Sequence, residues 1–225
     1  MTVPAYLLAE LLAWKSTRRP LASVAGAVPL ALAASLTWLA PAALSALLPA
    51  LALVFGWLSG SRYGADSRFR QLLLGSGLGP ADAAIGRACL SLIEALFHAL
   101  LYCPLVLLCL AMWGKGSEAA LAVFLSFVAN FLLAASLAFP ASLLLGGTGH
   151  LPGLWLCLAY LSASSLIGAL RPFSPVTQVW RALSSDPRLL AGAVLAASAE
   201  LGLSAAAFIA AVPAVAWARR RDARS

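Results

Sequence analysis

Charge is what this sequence has least of. Of its 225 residues only 10% are Asp, Glu, Lys or Arg, while 62% are hydrophobic. An ordinary soluble domain carries about 25% charged and about 45–50% apolar residues. With a mean hydropathy of +0.94, the chain has more apolar surface than a water-soluble core could hide, so its solvent is a bilayer. Histidine is reduced to His98 and His150, and neither has the neighbours of a metal-ligand cluster. Cys89, Cys103, Cys109 and Cys157 all lie in apolar blocks and form no CxxC pair. Zinc and dithiol redox roles are thereby excluded, and the thiols read as small buried hydrophobes.

Catalytic and nucleotide motifs are missing too. "WGKGSE" places Gly116 where a phosphate loop needs Ser or Thr after the lysine. "GSGLGP" and "GGTGHLPG" do not satisfy GxGxxG, and GxSxG and HExxH are absent. No catalytic set and no metal site are expected. The N-terminus does not read as a cleaved signal peptide, because its basic residues follow the apolar ones.

What is present is a series of apolar blocks. A spanning helix needs about 20 mostly apolar residues. Blocks of that kind cover 21–40, 42–60, 82–113, 119–145, 152–170 and 189–217, with Pro41 between the first two and "GGTGHLPG" between the fourth and fifth. The expected fold is all-α, a polytopic membrane protein with six transmembrane helices. Such an arrangement puts both termini on one side, together with Lys15, Arg18, Arg19, Arg62, Arg68, Arg70, Arg87, Arg219, Arg220, Arg221 and Arg224; only Lys115, Arg171, Arg181 and Arg188 face the other. The richer side is the cytoplasmic one. Topology therefore accounts for the net charge of +7, and no nucleic acid is required.

Ahead of the first block, residues 4–19 carry Leu7, Leu8, Leu11 and Leu12 on one helical face, closed by Trp14, Lys15, Arg18 and Arg19. An interfacial helix in the headgroup layer is expected, and Pro20 disfavours its continuation into the first span. The interval 171–188, "RPFSPVTQVWRALSSDPR", mixes apolar residues with prolines and arginines. It suits a re-entrant or interfacial segment anchored by Trp180.

The remaining polar interval, 66–79, reads as a helix, a break and a new helix. Asp66 or Ser67 can cap a short helix over Arg68–Leu74, Gly75 can end it, and Pro80 with Asp82 fits the first turn of the next. In sequence, "QLLLGSGLGPADAAIGR" resembles the cytoplasmic loop of ABC transporter permeases of the type-two exporter class. There a polar residue and three apolar ones precede small-Ser-Pro and a helix opening with apolar-Gly-Lys/Arg. Gln71, Leu72 to Leu74, Ser76, Leu78, Gly86 and Arg87 stand at those places in order. Gln71 replaces the usual Glu, and Gly77 a frequent Pro. "PFSPVTQVWRAL" similarly resembles the family's proline-containing segment before the last span.

The resemblance covers almost the whole chain and implies one exporter-type transmembrane domain over 1–225. It implies a bacterial cytoplasmic (inner) membrane location, a second permease copy in a homodimer or a related partner, and two copies of an ABC ATPase subunit. ATP and Mg would be bound by that ATPase and no cofactor by this chain. The interval 66–79 becomes a coupling loop whose helix docks on the ATPase. Phe69, Leu72 and Leu73 would supply the apolar face, with Arg68 and Arg70 at its rim.

The membrane subunit of the haem-handling exporter of cytochrome c maturation has similar length and span number. A non-transporting scaffold and a rhomboid-like protease are further alternatives. For the protease, Ser76 with His98 is the only pair to consider, and their separation argues against a hydrogen bond. Glu94 and His98 lie one turn apart on one face, two turns beyond Arg87. They are expected either to line a translocation pathway or dimer interface, or to make a structural contact between spans. Glu200 is a candidate companion.

Overall fold

A computed structural model describes residues 2–16, 21, 24–28, 40–65, 67–145, 150–184 and 186–222. Among these residues there is no strand. In chain order the helices are α1 (Val3–Lys15), α2 (Ala40–Ala65), α3 (Ser67–Gly75), α4 (Pro80–Met112), α5 (Ser117–Leu145) and α6 (His150–Leu166); after a 3-10 helix (Gly168–Phe173) come α7 (Pro175–Ala182), α8 (Pro187–Ala210) and α9 (Val212–Asp222).

Among the described residues four stretches are long and apolar enough to cross a membrane: α2, α4, α5, and the run formed by α8 with α9. α4 has 33 residues. At about 1.5 Å per residue that exceeds a hydrocarbon core of about 30 Å. Leu100, Leu121, Leu195 and Ile209 stand exposed on the long helices, an arrangement that lipid favours and water does not. Over its described residues the protein is all-helical, with the long apolar helices of a multi-pass membrane protein. Most of the block 21–40 lies outside the described residues, although Ala27 packs on the core and a β-carbon on Gly26 would lie 2.6 Å from the Tyr102 hydroxyl.

The block 152–170 is not one helix. α6 ends at Leu166, Ile167 is extended, and the chain turns into the 3-10 helix. Pro172 stands inside the 3-10 helix, where its missing N–H and its ring bar an α-helical continuation over 168–172. α7 then tucks inward, burying Pro175, Gln178, Val179 and Ala182 against α2, α5 and α8 while Trp180 stays exposed.

α5 is the central post and touches α2, α4, α6, α7, α8 and α9. Its closest neighbour is α2, and the reason is two glycines one turn apart. A β-carbon on Gly56 would lie 2.3 Å from the Phe131 carbonyl oxygen, and one on Gly60 2.3 Å from that of Ala135. Facing alanines Ala134, Ala135 and Ala138 complete the small-residue seam. Ser142 fastens it by donating to the Gly60 carbonyl at 3.1 Å. Gly60→Val is therefore expected to cost about 1–3 kcal/mol through overpacking. The measure is the unfolding midpoint in detergent, and an unchanged midpoint would show that the backbones do not approach this closely.

Two expectations change at the arginine-rich end. α2 continues past Gly60 to Ala65, so Arg62, grouped with the cytoplasmic-side cations beyond the 42–60 block, belongs to the helix and is 1% exposed. The helix carries on because nothing between Gly60 and Ala65 breaks it and Arg62 finds carboxylate partners there. In α1 the inward face is not made by leucines alone. Tyr6 and Glu10 are fully buried, Leu7 and Leu11 half-buried, and Leu8 and Leu12 exposed. α1 lies on α4 because Gly86 leaves room for the Tyr6 ring, which a β-carbon there would meet at 3.0 Å. Trp14 adds an edge-to-face contact with Phe97, the ring centroids 5.2 Å apart.

Candidate functional site

An acid in a leucine-rich helix and an arginine near the end of an apolar one each face a large desolvation cost alone. Here they find one another. Glu10 from α1, Arg62 from α2, and Arg87 and Glu94 from α4 form a cluster of two cations and two anions, every member at most 3% exposed. Formal charge cancels within it.

Arg62 is the hinge of the cluster. Its Nη2 donates to Glu94 Oε1, its Nη1 lies 3.5 Å from Glu10 Oε2, and its Nε donates to the Ser59 carbonyl at 3.1 Å. Arg87 Nη1 stands 3.9 Å from both Glu10 Oε2 and Glu94 Oε1, and its Nη2 donates to Ser59 Oγ. On the far side of Glu10, Tyr63 donates to Oε1 at 2.6 Å and Tyr6 donates to the same oxygen. Burial, with Tyr63 and the Glu10 carboxylate beside it, holds the Tyr6 phenol well above its ordinary pKa. Tyr6 therefore remains a hydrogen-bond donor at every physiological pH.

The cluster reaches α3 through an aromatic ring. The Arg62 guanidinium lies over Phe69, 4.9 Å from the ring centroid. Phe69 and Leu73 are buried in the same core as Tyr6, Tyr63, Leu78, Phe139 and Val215. The other end of α3 is held by α9. Arg219 donates to the Leu73 carbonyl at 3.0 Å and to that of Leu78, which satisfies backbone acceptors at and just beyond the helix C-terminus. Arg70 donates to the Leu143 carbonyl at 3.4 Å and Arg221 to that of Leu144 at 3.0 Å, so both cap the end of α5. α3 is thus tied to α2, α5 and α9, and a recess of about 430 Å³ opens beside it, lined by Ala13, Arg68, Gln71, Leu72, Gly75 and Ser76.

These positions redistribute the residues singled out in the sequence. Phe69 and Leu73 face inward and cannot form a docking face; Arg68 and Gln71 are exposed and Leu72 is half-buried. The helix is short and its i, i+4 pair Phe69–Leu73 is consumed by this chain's own core. Glu94 and His98 are each 3% exposed, enclosed within one chain and not lining an open path. His98 Nδ1 lies 2.6 Å from the Glu94 carbonyl oxygen, and the ring sits among Phe55, Phe97 and Phe131. Glu200 is fully buried but does not join Glu94; it meets Tyr160 near the 3-10 helix. Tyr6, Glu10, Ser59, Arg62, Tyr63 and Arg219 belong to the site and were not singled out. Glu10 and Arg62 carried a signal, since unlike charges stranded in separate apolar helices need partners. The tyrosines carried none.

Chemically, the arrangement holds no nucleophile beside a base. Every cluster carboxylate is committed to arginines or tyrosines, and no group of three His, Cys, Asp or Glu side chains among the described residues could hold a metal. What it offers is a stiff joint between α1, α2 and α4 with α3 pressed against it. Comparison with protein-family models, with curated proteins and with solved structures finds no match.

Proposed function

We propose that the chain is the membrane-spanning subunit of an ATP-driven ABC exporter. The observation that carries this reading is α3: a nine-residue helix between two membrane-crossing helices, on the arginine-rich end, fastened to the bundle by Phe69 under Arg62 and by Arg219. Such a helix is a handle. A push on it reaches α1, α2 and α4 through the charge cluster without unwinding any of them.

In this reading α6 is a short fifth span, residues 21–40 supply the first, and six spans place both termini in the cytoplasm. The 3-10 helix and α7 form a re-entrant segment at the outer face. Two copies of the chain meet in the bacterial cytoplasmic membrane, and two ATPase subunits bind below. Arg68, Gln71 and Leu72, beside the recess, replace the Phe69–Leu73 face as the docking surface, with positive charge and one apolar side chain at its centre.

The test is recovery of a tagged copy from its native membrane. An ATPase subunit is expected to co-purify in equal stoichiometry, with hydrolysis that depends on this chain. Recovery of a stable protein with no ATPase in any native membrane preparation would overturn the reading and favour a scaffold.

A further inference from the structure

The second buried polar cluster lies at the other end of the bundle. Glu200 of α8 is fully buried. Its Oε1 is hydrogen-bonded to the Tyr160 hydroxyl of α6, and Oε2 has no partner. The same Tyr160 hydroxyl contacts the Phe173 carbonyl oxygen at 2.8 Å. Gln178 Nε2 also reaches that carbonyl, at 3.4 Å, and Asn130 Nδ2 lies 3.4 Å from Gln178 Oε1.

Counting protons decides the state of this group. A tyrosine hydroxyl has one hydrogen to give. The Phe173 carbonyl can only accept, and so can an ionised carboxylate. With Glu200 ionised, two acceptors would compete for one proton, and one of the two short contacts would be an oxygen–oxygen repulsion. With Glu200 neutral the chain closes: the carboxyl donates to Tyr160, and Tyr160 donates to Phe173. Oε2 has no partner at hydrogen-bond distance, only the Gln178 amide alongside the carboxyl, and a buried neutral carbonyl so placed costs far less than a buried anionic oxygen.

No cation offers an alternative. Among the described residues no Lys, Arg or His pairs with Glu200. The groups facing it or next in line are Tyr160 from α6, the Phe173 carbonyl from the 3-10 helix, Gln178 from α7 and Asn130 from α5. Of the charged side chains on the elements packed against α8, Arg87 and Glu94 of α4 are committed to the other cluster. Arg181 of α7 approaches α8 at Gly192, about two turns from Glu200, and Arg171 of the 3-10 helix is exposed. A single carboxyl among neutral amides is too poor in anionic oxygen to hold a divalent metal ion.

We infer that Glu200 is a proton-binding site whose bound proton, passed along as a donor through Tyr160, ties α8 to the Phe173 carbonyl at the joint between the 3-10 helix and α7. Neutral, the group clamps the segment Gly168–Ala182 to the bundle. Without the proton, Tyr160 can serve only one of its two acceptors, and the joint is untied.

Infrared difference spectroscopy on the purified full chain in lipid tests this directly. A carbonyl stretch of a neutral carboxylic acid is expected at neutral pH. It should vanish in Glu200→Gln and shift to higher frequency in Tyr160→Phe, where the acceptor is lost. Amide exchange over Gly168–Ala182 supplies an independent reading. Glu200→Gln keeps a donor toward Tyr160 and should protect the segment as the native chain does, whereas Tyr160→Phe should speed exchange by up to about tenfold. Once the base catalysis that quickens amide exchange in both proteins alike is divided out, protection of the segment should fall at alkaline pH in the native chain and hold in Glu200→Gln. A native spectrum with no band assignable to Glu200, or a Glu200→Gln segment as loose as that of Tyr160→Phe, would overturn the inference.

Discussion

Arg62→Met is expected to destabilise the chain by about 3–5 kcal/mol, because removing one partner leaves a buried charge uncompensated. The loss should be selective in its remedy. Arg62→Met leaves Glu10 and Glu94 facing Arg87 alone, which stands 3.9 Å from each. Adding Glu94→Leu restores neutrality, with Glu10 and Arg87 remaining as a pair. The double variant should therefore be more stable than Arg62→Met, although it has lost more native contacts. Replacing a whole buried ion pair with apolar groups is often close to neutral, whereas halving one is not. Unfolding titrations of the four proteins of this cycle, in one detergent, give the coupling between the two positions. Purely additive losses would show that Arg62 and Glu94 do not share a network.

The size of that effect explains what could be foreseen. Long helices were legible because apolar runs of more than 20 residues have one physical solution in a bilayer, and α4 and α5 occupy such runs. A short helix near Phe69 was legible from Ser67 and Gly75, which bracket α3. Partnering was harder. Arg62 reads equally well as a loop cation or as half of a buried pair, since the local sequence "GWLSGSRYGA" ends a hydrophobic block and carries no helix stop beyond its glycines. The deciding fact is tertiary: Glu10 sits fifty-two residues earlier and Glu94 thirty-two later, and no periodicity within one helix links them.

The same limit applies to Phe69. An amphipathic face shows that a helix buries one side, but it does not say against what. Here the partner is the chain's own Tyr63, Phe139 and Val215. Glu200 shows the converse. A lone acid in an alanine-rich helix was legible as a polar site, whereas its partner Tyr160 lies on a helix whose sequence gives no hint of that pairing. The 152–170 block breaks at Ile167, and the Gly168 and Pro172 of the 3-10 helix that follows are averaged away by a hydropathy window.

Burial of Phe69 also separates two variants that a sequence argument would group together. Phe69→Ala is expected to cost about 3–5 kcal/mol, the range for emptying a core aromatic site. Its ring is 1% exposed and carries the Arg62 guanidinium at 4.9 Å, so the variant loses fold stability whatever partner the chain has. It is therefore no test of docking. Arg68→Glu with Leu72→Ala is the informative change. Arg68 is exposed and Leu72 only half-buried, and surface substitutions of this kind usually stay within about 0.5 kcal/mol. Both flank the recess between α1 and α3. If that recess receives an ATPase, reversing the charge at its rim and removing its apolar centre should cost at least about 2 kcal/mol of binding, roughly thirtyfold in affinity. The expected result is a double variant that purifies and melts like the native chain yet no longer retains the ATPase or supports ATP-linked export. A double variant that melts normally and still recovers its ATPase would remove this surface as the point of coupling, and one that melts early would mean that Leu72 belongs to the core with Phe69 and Leu73.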